Sequence, residues 1–361
     1  MVSITGCIYV FQEEIKDVTE PWRRVEAQDK PFVPPSVVLD TAQKYMPGVE
    51  ASGLTYSNKE GSAAVGFNSR ENGKRAFTAV FVNPYTGVFL KKQQLIGSGG
   101  FNFFRFIIDG HRALWLPYEI GRPIVGICTL IFVFLLISGL IMWWPKKWNK
   151  SNRDKSFTIK WKASFKRVNY DLHNVLGFYT LLLALAIAIT GLVWSFTWFE
   201  NGLYYITSGG ETKPGYEEHP LSDTTKAYLA DTTMSPIDRA WYITMENDTE
   251  IEGMYLHPHV EGNEAVEILA YHDHGSFYDR NLYYYDQYTM EPIRVRGDRF
   301  SEAGFADQLV LLNYDIHIGA ALGLTGKVIA FFVSLISASL PVTGFLVWIN
   351  RKKKKKRSRS F

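Results

Sequence analysis

Three histidines in this sequence share one local pattern, in which an aspartate stands two positions earlier. They are His111, His173 and His317, and each lies at the edge of a long apolar segment. Neutral imidazole is a common metal ligand, and two histidines at one depth on two helices can supply both axial ligands of a b-type haem. No Cys-x-x-Cys-His sequence occurs, which excludes a covalently attached c-type haem. The alternative is that a histidine at a membrane boundary is only an interfacial polar residue.

A second motif, a branched residue followed by Ser or Thr and then Gly, recurs near the end of each apolar segment. The copies are Ile4-Thr5-Gly6, Ile137-Ser138-Gly139, Ile189-Thr190-Gly191 and Val342-Thr343-Gly344. Glycine lets a flat macrocycle or a neighbouring helix approach closely. We therefore expect Gly191 near the pair His111 and His317, and Gly139 and Gly344 near His173. Plain helix packing is the alternative. The aspartates before the histidines either accept from an imidazole N–H or cap the following helices, and capping is preferred.

The apolar segments are long enough to cross a membrane. They cover residues 1–11, about 120–144, about 174–199 and about 318–349. A hydrocarbon core about 30 Å thick takes about 20 helical residues, which the last three segments supply. Residues 145–172 hold nine Lys/Arg against two Asp, and the tail from Arg351 to Arg359 has eight basic residues and no acidic one. Because basic loops stay in the cytoplasm, His111 and His317 are predicted at the outer face and His173 at the inner face.

The first apolar segment is too short to span. The spacing is 28 residues from His111 to Gly139, 18 from His173 to Gly191 and 27 from His317 to Gly344. Counting back 18 to 28 residues from Gly6 gives a position before Met1. We therefore expect helix 1 to be truncated, with about 15–30 residues and a fourth histidine, the partner of His173, lying upstream. A signal peptide is excluded, because no basic n-region and no small-residue cleavage site are present.

The two long segments between the apolar helices are predicted to be mixed α and β structure. The elements are a helix over 36–46, strands at Ala63–Asn68, Ala76–Val82 and Val88–Leu90, a helix from Ser235, and strands at 251–257, 264–272 and Leu282–Tyr285. Alternation of apolar and polar residues, bounded by Pro and Gly, supports these assignments. Asn83-Pro-Tyr-Thr and Asp286-Gln-Tyr-Thr are interpreted as two copies of one turn.

A second group of histidines lies in the later of these segments. It comprises His257, His259, His272 and His274, in two pairs spaced i, i+2. That spacing puts both imidazoles of a pair on one face of a strand. Two adjacent strands could then present four imidazoles to Cu, Zn or Fe. Exposed turns are the alternative, because Pro258 and Gly275 interrupt regular pairing.

Several segments of the sequence together resemble a known family. Val37–Leu90, with its Pro47-Gly48 break and Pro84-Tyr-Thr-Gly87 turn, resembles a PepSY domain. The segments His111-Arg-Ala-Leu with Gly121-Arg-Pro-Ile-Val-Gly126, Leu172-His173 with Leu176-Gly177, and His317-Ile-Gly319 with Gly323 resemble the PepSY-associated transmembrane family. That family, often called iron-regulated membrane proteins, includes siderophore-linked ferric reductases. The resemblance implies a four-helix core with haem b ligated at His111, His173 and His317. The chain departs from the family pattern in lacking the start of helix 1 and its histidine.

The expected fold is a membrane α-helical bundle of four helices, the first truncated, with two extracytoplasmic α+β PepSY-like domains. Its parts are truncated helix 1 (1–12), a first PepSY-like domain (13–100), an interfacial segment with helix 2 (101–145), a basic cytoplasmic loop (146–172), helix 3 (173–199), a second PepSY-like domain (200–307), helix 4 (308–350) and a basic cytoplasmic tail (351–361).

The expected function is electron transfer in a bacterial cytoplasmic membrane, reducing ferric siderophores or other ferric chelates outside the cytoplasm for iron uptake. One or two haem b groups would serve it, and the donor would be a quinol or a cytoplasmic reductase, since dinucleotide fingerprints are absent from the sequence. Arg112 and Arg122 are predicted to bind the chelate or a haem propionate, with interfacial anchoring as the alternative. A membrane-anchored module that binds peptides or regulates a protease, and an accessory subunit of metal uptake, stay open. Nucleic acid is not an expected partner.

Overall fold

The computed structural model describes residues 1–97, 101–145, 147–214, 220–231, 233–258, 262–273 and 275–357. The chain divides into two compact units, each built from separate stretches of sequence. The helical unit contains Met1–Phe11, Phe104–Leu203 and Asn313–Phe361. The sheet unit contains Gln12–Phe103 and Tyr204–Leu312.

Twelve α-helices and eight strands occur in the described part of the chain. The helices are α1 (Val2–Tyr9), α2 (Gln12–Thr19), α3 (Pro35–Gln43), α4 (Phe103–Ala113), α5 (Tyr118–Trp143), α6 (Lys150–Phe157), α7 (Phe165–Asp171), α8 (Gly177–Ser195), α9 (Thr197–Thr207), α10 (Pro236–Asn247), α11 (Phe305–Ile318) and α12 (Gly323–Arg357). The strands are β1 (Ala51–Tyr56), β2 (Ala63–Glu71), β3 (Lys74–Val82), β4 (Phe89–Ile96), β5 (Gly253–Leu256), β6 (Val266–Tyr271), β7 (Arg280–Tyr285) and β8 (Pro292–Ile293).

The sheet unit is one continuous antiparallel sheet in the order β4-β3-β2-β1-β5-β6-β7-β8. Its two four-stranded halves come from the two long segments and join where β1 pairs with β5, placing Leu54 opposite Leu256. This differs from the two separate domains expected from the sequence. Pairing removes two exposed strand edges, which would otherwise be open to aggregation.

One face of this sheet is covered by α3 and α10. Val38 of α3 and Ala240 of α10 are fully buried in the same core as Phe67 of β2 and Ile268 of β6. Burial alternates along β2 and β6, as a strand with one covered face requires. Proline at the first position of α3 and a Ser235 cap on α10, which accepts from the backbone N–H of Asp238, fix where the two helices begin.

The two predicted copies of one turn are confirmed. Asn83 Oδ1 accepts from the backbone N–H groups of Tyr85 and Thr86, at 2.9 and 3.2 Å. Asp286 Oδ1 accepts from the N–H groups of Tyr288 and Thr289, at 3.0 and 2.9 Å. The same side-chain-to-backbone pattern therefore closes β3 onto β4 and β7 onto β8. The two halves of the sheet share their turn chemistry as well as their strand order.

Three helical stretches among the described residues are long and apolar enough to cross a membrane. They are Tyr118–Trp143, Phe165–Ser195 and Ala320–Asn350. Many large apolar side chains on them point away from the protein, such as Ile131, Phe134 and Leu135, which are 53–63% exposed. A soluble protein rarely exposes a surface of this kind, and lipid covers it in a membrane protein. The short helix α1 packs against α12, with Cys7 Sγ 3.4 Å from the carbonyl of Phe331.

The helix containing His111 is separate from the span that follows it. Leu114 and Trp115 have φ of 53° and 60°, a left-handed conformation that ends α4 before α5 begins. Gly319, with φ of 81°, likewise ends α11 after His317. His173 instead lies in one π-helical turn, Leu172–Leu176, inside a continuous span. His111 and His317 therefore lie on helices that end at left-handed residues, whereas His173 lies in a π-helical turn within a span.

The Asp286 turn generates a prediction about stability. Burial raises the pKa of Asp286. Hydrogen bonds from the N–H groups of Thr289, Asp223 and Tyr288 outweigh this effect and hold the pKa below its ordinary value. Asp286→Ala should cost about 2 kcal/mol, because several backbone donors lose their acceptor. The cost should be constant from pH 8 to 5 and shrink below about pH 3.9, where the unfolded carboxyl takes up a proton and the ionised form loses its advantage.

Thermal unfolding of the detergent-solubilised protein measures this effect. Glu291→Ala is the matched control, because Glu291 is 66% exposed and makes only a surface ion pair with Lys226. An equal fall in Tm for both variants would contradict a special role for the Asp286 turn.

Candidate functional site

His111 and His317 lie next to each other in the helical unit. Their ring centres are 6.0 Å apart and their planes meet at 74°. An ion bonded to both Nε2 atoms at about 2 Å would set the ring centres about 6 Å apart. The two histidines that the sequence assigns to one end of the bundle thus meet at the separation that two axial ligands need. We call them the histidine pair.

The Nδ1 atom of each ring in the histidine pair is held by a neighbouring helix. His111 Nδ1 lies 3.0 Å from the carbonyl oxygen of Val2 and 3.2 Å from the hydroxyl of Thr5. His317 Nδ1 lies 3.0 Å from the carbonyl of Ile187 and 2.9 Å from the hydroxyl of Thr190. A carbonyl can only accept, so each Nδ1 carries the proton and each neutral ring keeps its lone pair on Nε2. That is the tautomer required for ligation through Nε2.

The surroundings of the pair keep both rings uncharged. Burial lowers the pKa of His111 below its ordinary value. Burial, and then the proximity of His111, lowers the pKa of His317 to about 3. Both imidazoles are therefore neutral near pH 7, as metal ligands must be.

His173 is held in the same way at another point of the helical unit. Its Nδ1 lies 2.9 Å from the hydroxyl of Thr343. A Cβ on Gly344 would stand only 3.0 Å from His173 Cε1, so the ring occupies space that a larger residue would take. The π-helical turn around His173 supplies the extra residue that turns the ring toward α12.

These contacts give the Ser/Thr-Gly motif a specific structural role. In three copies the threonine hydroxyl donates to the carbonyl three residues earlier and lies within hydrogen-bond distance of one imidazole. The following glycine leaves room for that ring: Gly6 faces His111, Gly191 faces His317 and Gly344 faces His173. We call this arrangement the threonine–glycine cradle. Each histidine rests in the cradle of a different helix.

The fourth copy of the motif has the same local geometry without a histidine. Ser138 donates to the carbonyl of Leu135 at 3.2 Å. A Cβ on Gly139 would meet no other atom within 4 Å. Gly139 was expected near His173, but it makes no such contact. The further histidine expected before helix 1 stays a prediction.

Two asparagines support the cradles, and their role was not predicted from the sequence. Asn169 donates to the carbonyl of Thr343 at 3.0 Å, and Asn313 donates to that of Thr190 at 3.3 Å. Each asparagine is buried and stands four residues before its histidine. The signal was present, because residues 169–173 read Asn-Tyr-Asp-Leu-His and residues 313–317 read Asn-Tyr-Asp-Ile-His. In these two copies the repeat is thus five residues long, whereas His111 shares only the Asp-x-His part.

The preferred role of the aspartates as helix caps is wrong. Asp109 and Asp315 lie inside α4 and α11, and Asp171 is the last residue of α7. Asp109 pairs with Arg105 at 3.0 Å, while buried Asp171 accepts from Arg167 and from the backbone N–H of Lys160. The groups that fix the imidazoles are threonine hydroxyls and backbone carbonyls.

The two predicted arginines differ in their contacts. Arg122 Nε donates to the carbonyl of Trp194 at 2.9 Å, and its guanidinium lies over the Tyr118 ring. This contact ties α5 to α8, as the anchoring interpretation expects. Trp194 in turn packs edge-on against His317, with ring centres 5.1 Å apart. Arg112 is exposed beside His111 and forms no ion pair within the described residues, so it is the better placed of the two to bind an anion.

The predicted site of four imidazoles in the sheet unit is not formed by the histidines that the structure describes. Antiparallel pairing of Gly253 with Tyr271 and of Leu256 with Ile268 puts His257 and His272 at opposite ends of the β5–β6 ladder. His259 and His274 lie outside the described residues. His257 is instead 3.7 Å from Glu267, and His272 Nε2 is 2.8 Å from Asp248 Oδ2. Groups of three or more metal-binding side chains are absent from the described residues.

Sequence comparison identifies the class to which this protein belongs. The family model for the PepSY-associated TM region matches residues 1–351. The chain is therefore a member of the PepSY-associated transmembrane family, as its motifs suggested. Among curated proteins, none matches the sequence significantly.

The cradles generate a paired prediction. Gly344→Ala should lower the Tm, because the new methyl group must push the His173 ring off Thr343. Gly139→Ala should leave the Tm unchanged or raise it, since alanine is favoured over glycine in a helix by about 1 kcal/mol and open space surrounds the site. Thermal unfolding of both variants in one detergent tests this difference. A larger loss for Gly139→Ala would show that the Gly344 cradle does not constrain the ring.

Proposed function

We propose that this protein is a haem b electron-transfer protein of a bacterial cytoplasmic membrane that reduces ferric chelates, such as ferric siderophores, outside the cytoplasm. The observation that carries the proposal is the histidine pair, with two neutral rings 6.0 Å apart. Each ring commits its Nδ1 proton to a backbone carbonyl and so offers Nε2. A protein whose helices served only as a membrane anchor would not require two imidazoles arranged in this way.

The residues present fit a haem held by two histidines. When bound, haem b supplies reversible one-electron transfer at its iron. His111 and His317 would hold the iron through Nε2, and Thr5 and Thr190 would fix the ring orientations. Arg112, exposed beside His111, would offer a charged donor to a propionate or to an anionic chelate. His173, whose Nδ1 is held by the hydroxyl of Thr343, would be a ligand of a second haem.

Charge gives the proposed orientation. The basic segment 146–172 and the basic tail belong in the cytoplasm. This leaves the histidine pair and the sheet unit outside, where a ferric chelate is met. A quinol or a cytoplasmic reductase would supply the electrons. Reduction of Fe³⁺ to Fe²⁺ lowers the charge on the metal and weakens its bonds to hard oxygen ligands, which frees the iron for uptake.

The first test concerns haem binding. The purified protein should show a low-spin b-type absorption spectrum. His111→Ala and His317→Ala should each remove the haem held by the pair, because one imidazole alone leaves an open coordination position. His257→Ala is the control, since His257 lies in the sheet unit and contacts Glu267 instead. Full haem content in both pair variants would refute the ligand assignment.

The second test concerns the direction of electron flow. Protein in vesicles with the sheet unit accessible is reduced with dithionite, and excess reductant is removed. Adding a ferric siderophore outside should reoxidise the protein and release Fe²⁺ to a ferrous chelator. Arg112→Gln should slow this reaction without loss of haem, if Arg112 attracts the chelate. Failure of several chemically different ferric chelates to reoxidise the protein would reject the reductase function.

A further inference from the structure

The sheet unit contains a cavity of about 160 Å³ that the proposed electron transfer does not use. Its walls come from the segment before α3, from β1 and the loop that follows it, from β5 and from α10. All of its lining residues belong to the sheet unit. It draws on both halves of the sheet, so it exists only because β1 pairs with β5.

One wall of the cavity is a set of packed aromatic rings. Phe32 stacks on Tyr56, with ring centres 5.7 Å apart and planes 11° apart, and meets Tyr85 edge-on at 4.9 Å. Trp241 extends this wall, with its ring centre 6.2 Å from that of Tyr56. The Tyr56 hydroxyl donates to the carbonyl of Val33 and the Tyr85 hydroxyl to that of Lys59. The phenol groups are thus already satisfied. Tyr56, Tyr85 and Trp241 are only 2–4% exposed, so the partly exposed ring of Phe32 is the main aromatic surface that a ligand can contact.

The size of the cavity suits one aromatic ring. An apolar cavity of about 150 Å³ in another protein holds benzene. Aromatic walls add offset or edge-on ring contacts that an aliphatic ligand cannot match. A cavity of about 160 Å³ is therefore large enough for a single substituted ring.

The rim of the cavity favours negative charge. Lys30 and Lys59 both line it and are exposed, and neither forms an ion pair within the described residues. The hydrogen bond from Tyr85 to the Lys59 carbonyl fixes the base of that side chain. Glu252 is the one acidic residue in the lining, so the two ammonium groups outnumber it.

We propose that this cavity binds a small aromatic anion, a single ring that carries a carboxylate or an ionised phenol. The ring would lie against Phe32, Tyr56 and Trp241, and its charge would lie between Lys30 and Lys59. The inference does not depend on haem or on electron transfer.

Isothermal titration of the full chain in detergent tests the proposal with three probes. Benzoate has both the ring and the charge, benzyl alcohol has the ring alone, and cyclohexanecarboxylate has the charge alone. Benzoate should bind about tenfold more tightly than either of the others, because each lacks one of the two recognised features.

Matched variants separate charge from shape. Lys30→Gln combined with Lys59→Gln should weaken benzoate binding about tenfold and leave benzyl alcohol unchanged. Lys44→Gln combined with Lys74→Gln is the control, because both lysines are exposed and lie outside the cavity lining. Ser57→Phe places a ring inside the cavity and should abolish binding of benzoate. An unchanged Tm in each variant shows that the fold is kept.

Three results would overturn the proposal. They are equal affinity for benzoate and benzyl alcohol, retention of benzoate binding by Ser57→Phe, and absence of benzoate binding to the unaltered protein. Binding of an acidic phenylalanine-containing peptide in that last case would assign the cavity to a peptide side chain instead.

Discussion

The hydrogen bond from an imidazole Nδ1 to a backbone carbonyl is the constraint on which the helical unit depends. A neutral ring has one proton, and committing it to a carbonyl leaves the lone pair on Nε2. The carbonyls of Val2 and Ile187 impose this state on the histidine pair. Threonine hydroxyls and close glycines complete each cradle, so that ring orientation and tautomer are set together. Burial then keeps the pair neutral, because charge is costly away from water.

The backbone breaks next to the histidines follow from the same constraint. His111 and His317 must face each other across the unit, so each sits on a short helix that ends at a left-handed residue before its span begins. His173 lies within a continuous span, and a π-helical turn rotates it instead. The sequence spacing already contained this difference, because His111 and His317 stand 28 and 27 residues before their motif glycines and His173 stands only 18. The longer spacings after His111 and His317 include the residues that separate each short helix from its span.

Much of the local structure could be predicted from the sequence. Apolar length identified the three spans, and the Asn83 and Asp286 turns were recognised because their side chains close them locally. The pairing of Gly191 with His317 and of Gly344 with His173 followed from topology and repeats. The joining of β1 to β5 could not be predicted, since β1 is short and contains a glycine and its partner lies about 200 residues away. Strand register also separated His257 from His272, and i, i+2 spacing alone cannot reveal register.

The central claim is that His111 and His317 share one iron, and electron paramagnetic resonance of the oxidised protein tests it most directly. Two axial imidazoles whose planes are close to perpendicular give a highly anisotropic low-spin ferric signal, whereas parallel planes give a rhombic one. The 74° angle between the rings predicts the anisotropic signal. That signal should disappear in His317→Ala and persist in His257→Ala. A high-spin spectrum of five-coordinate iron in the unaltered protein, or an anisotropic signal that survives His317→Ala, would contradict the account.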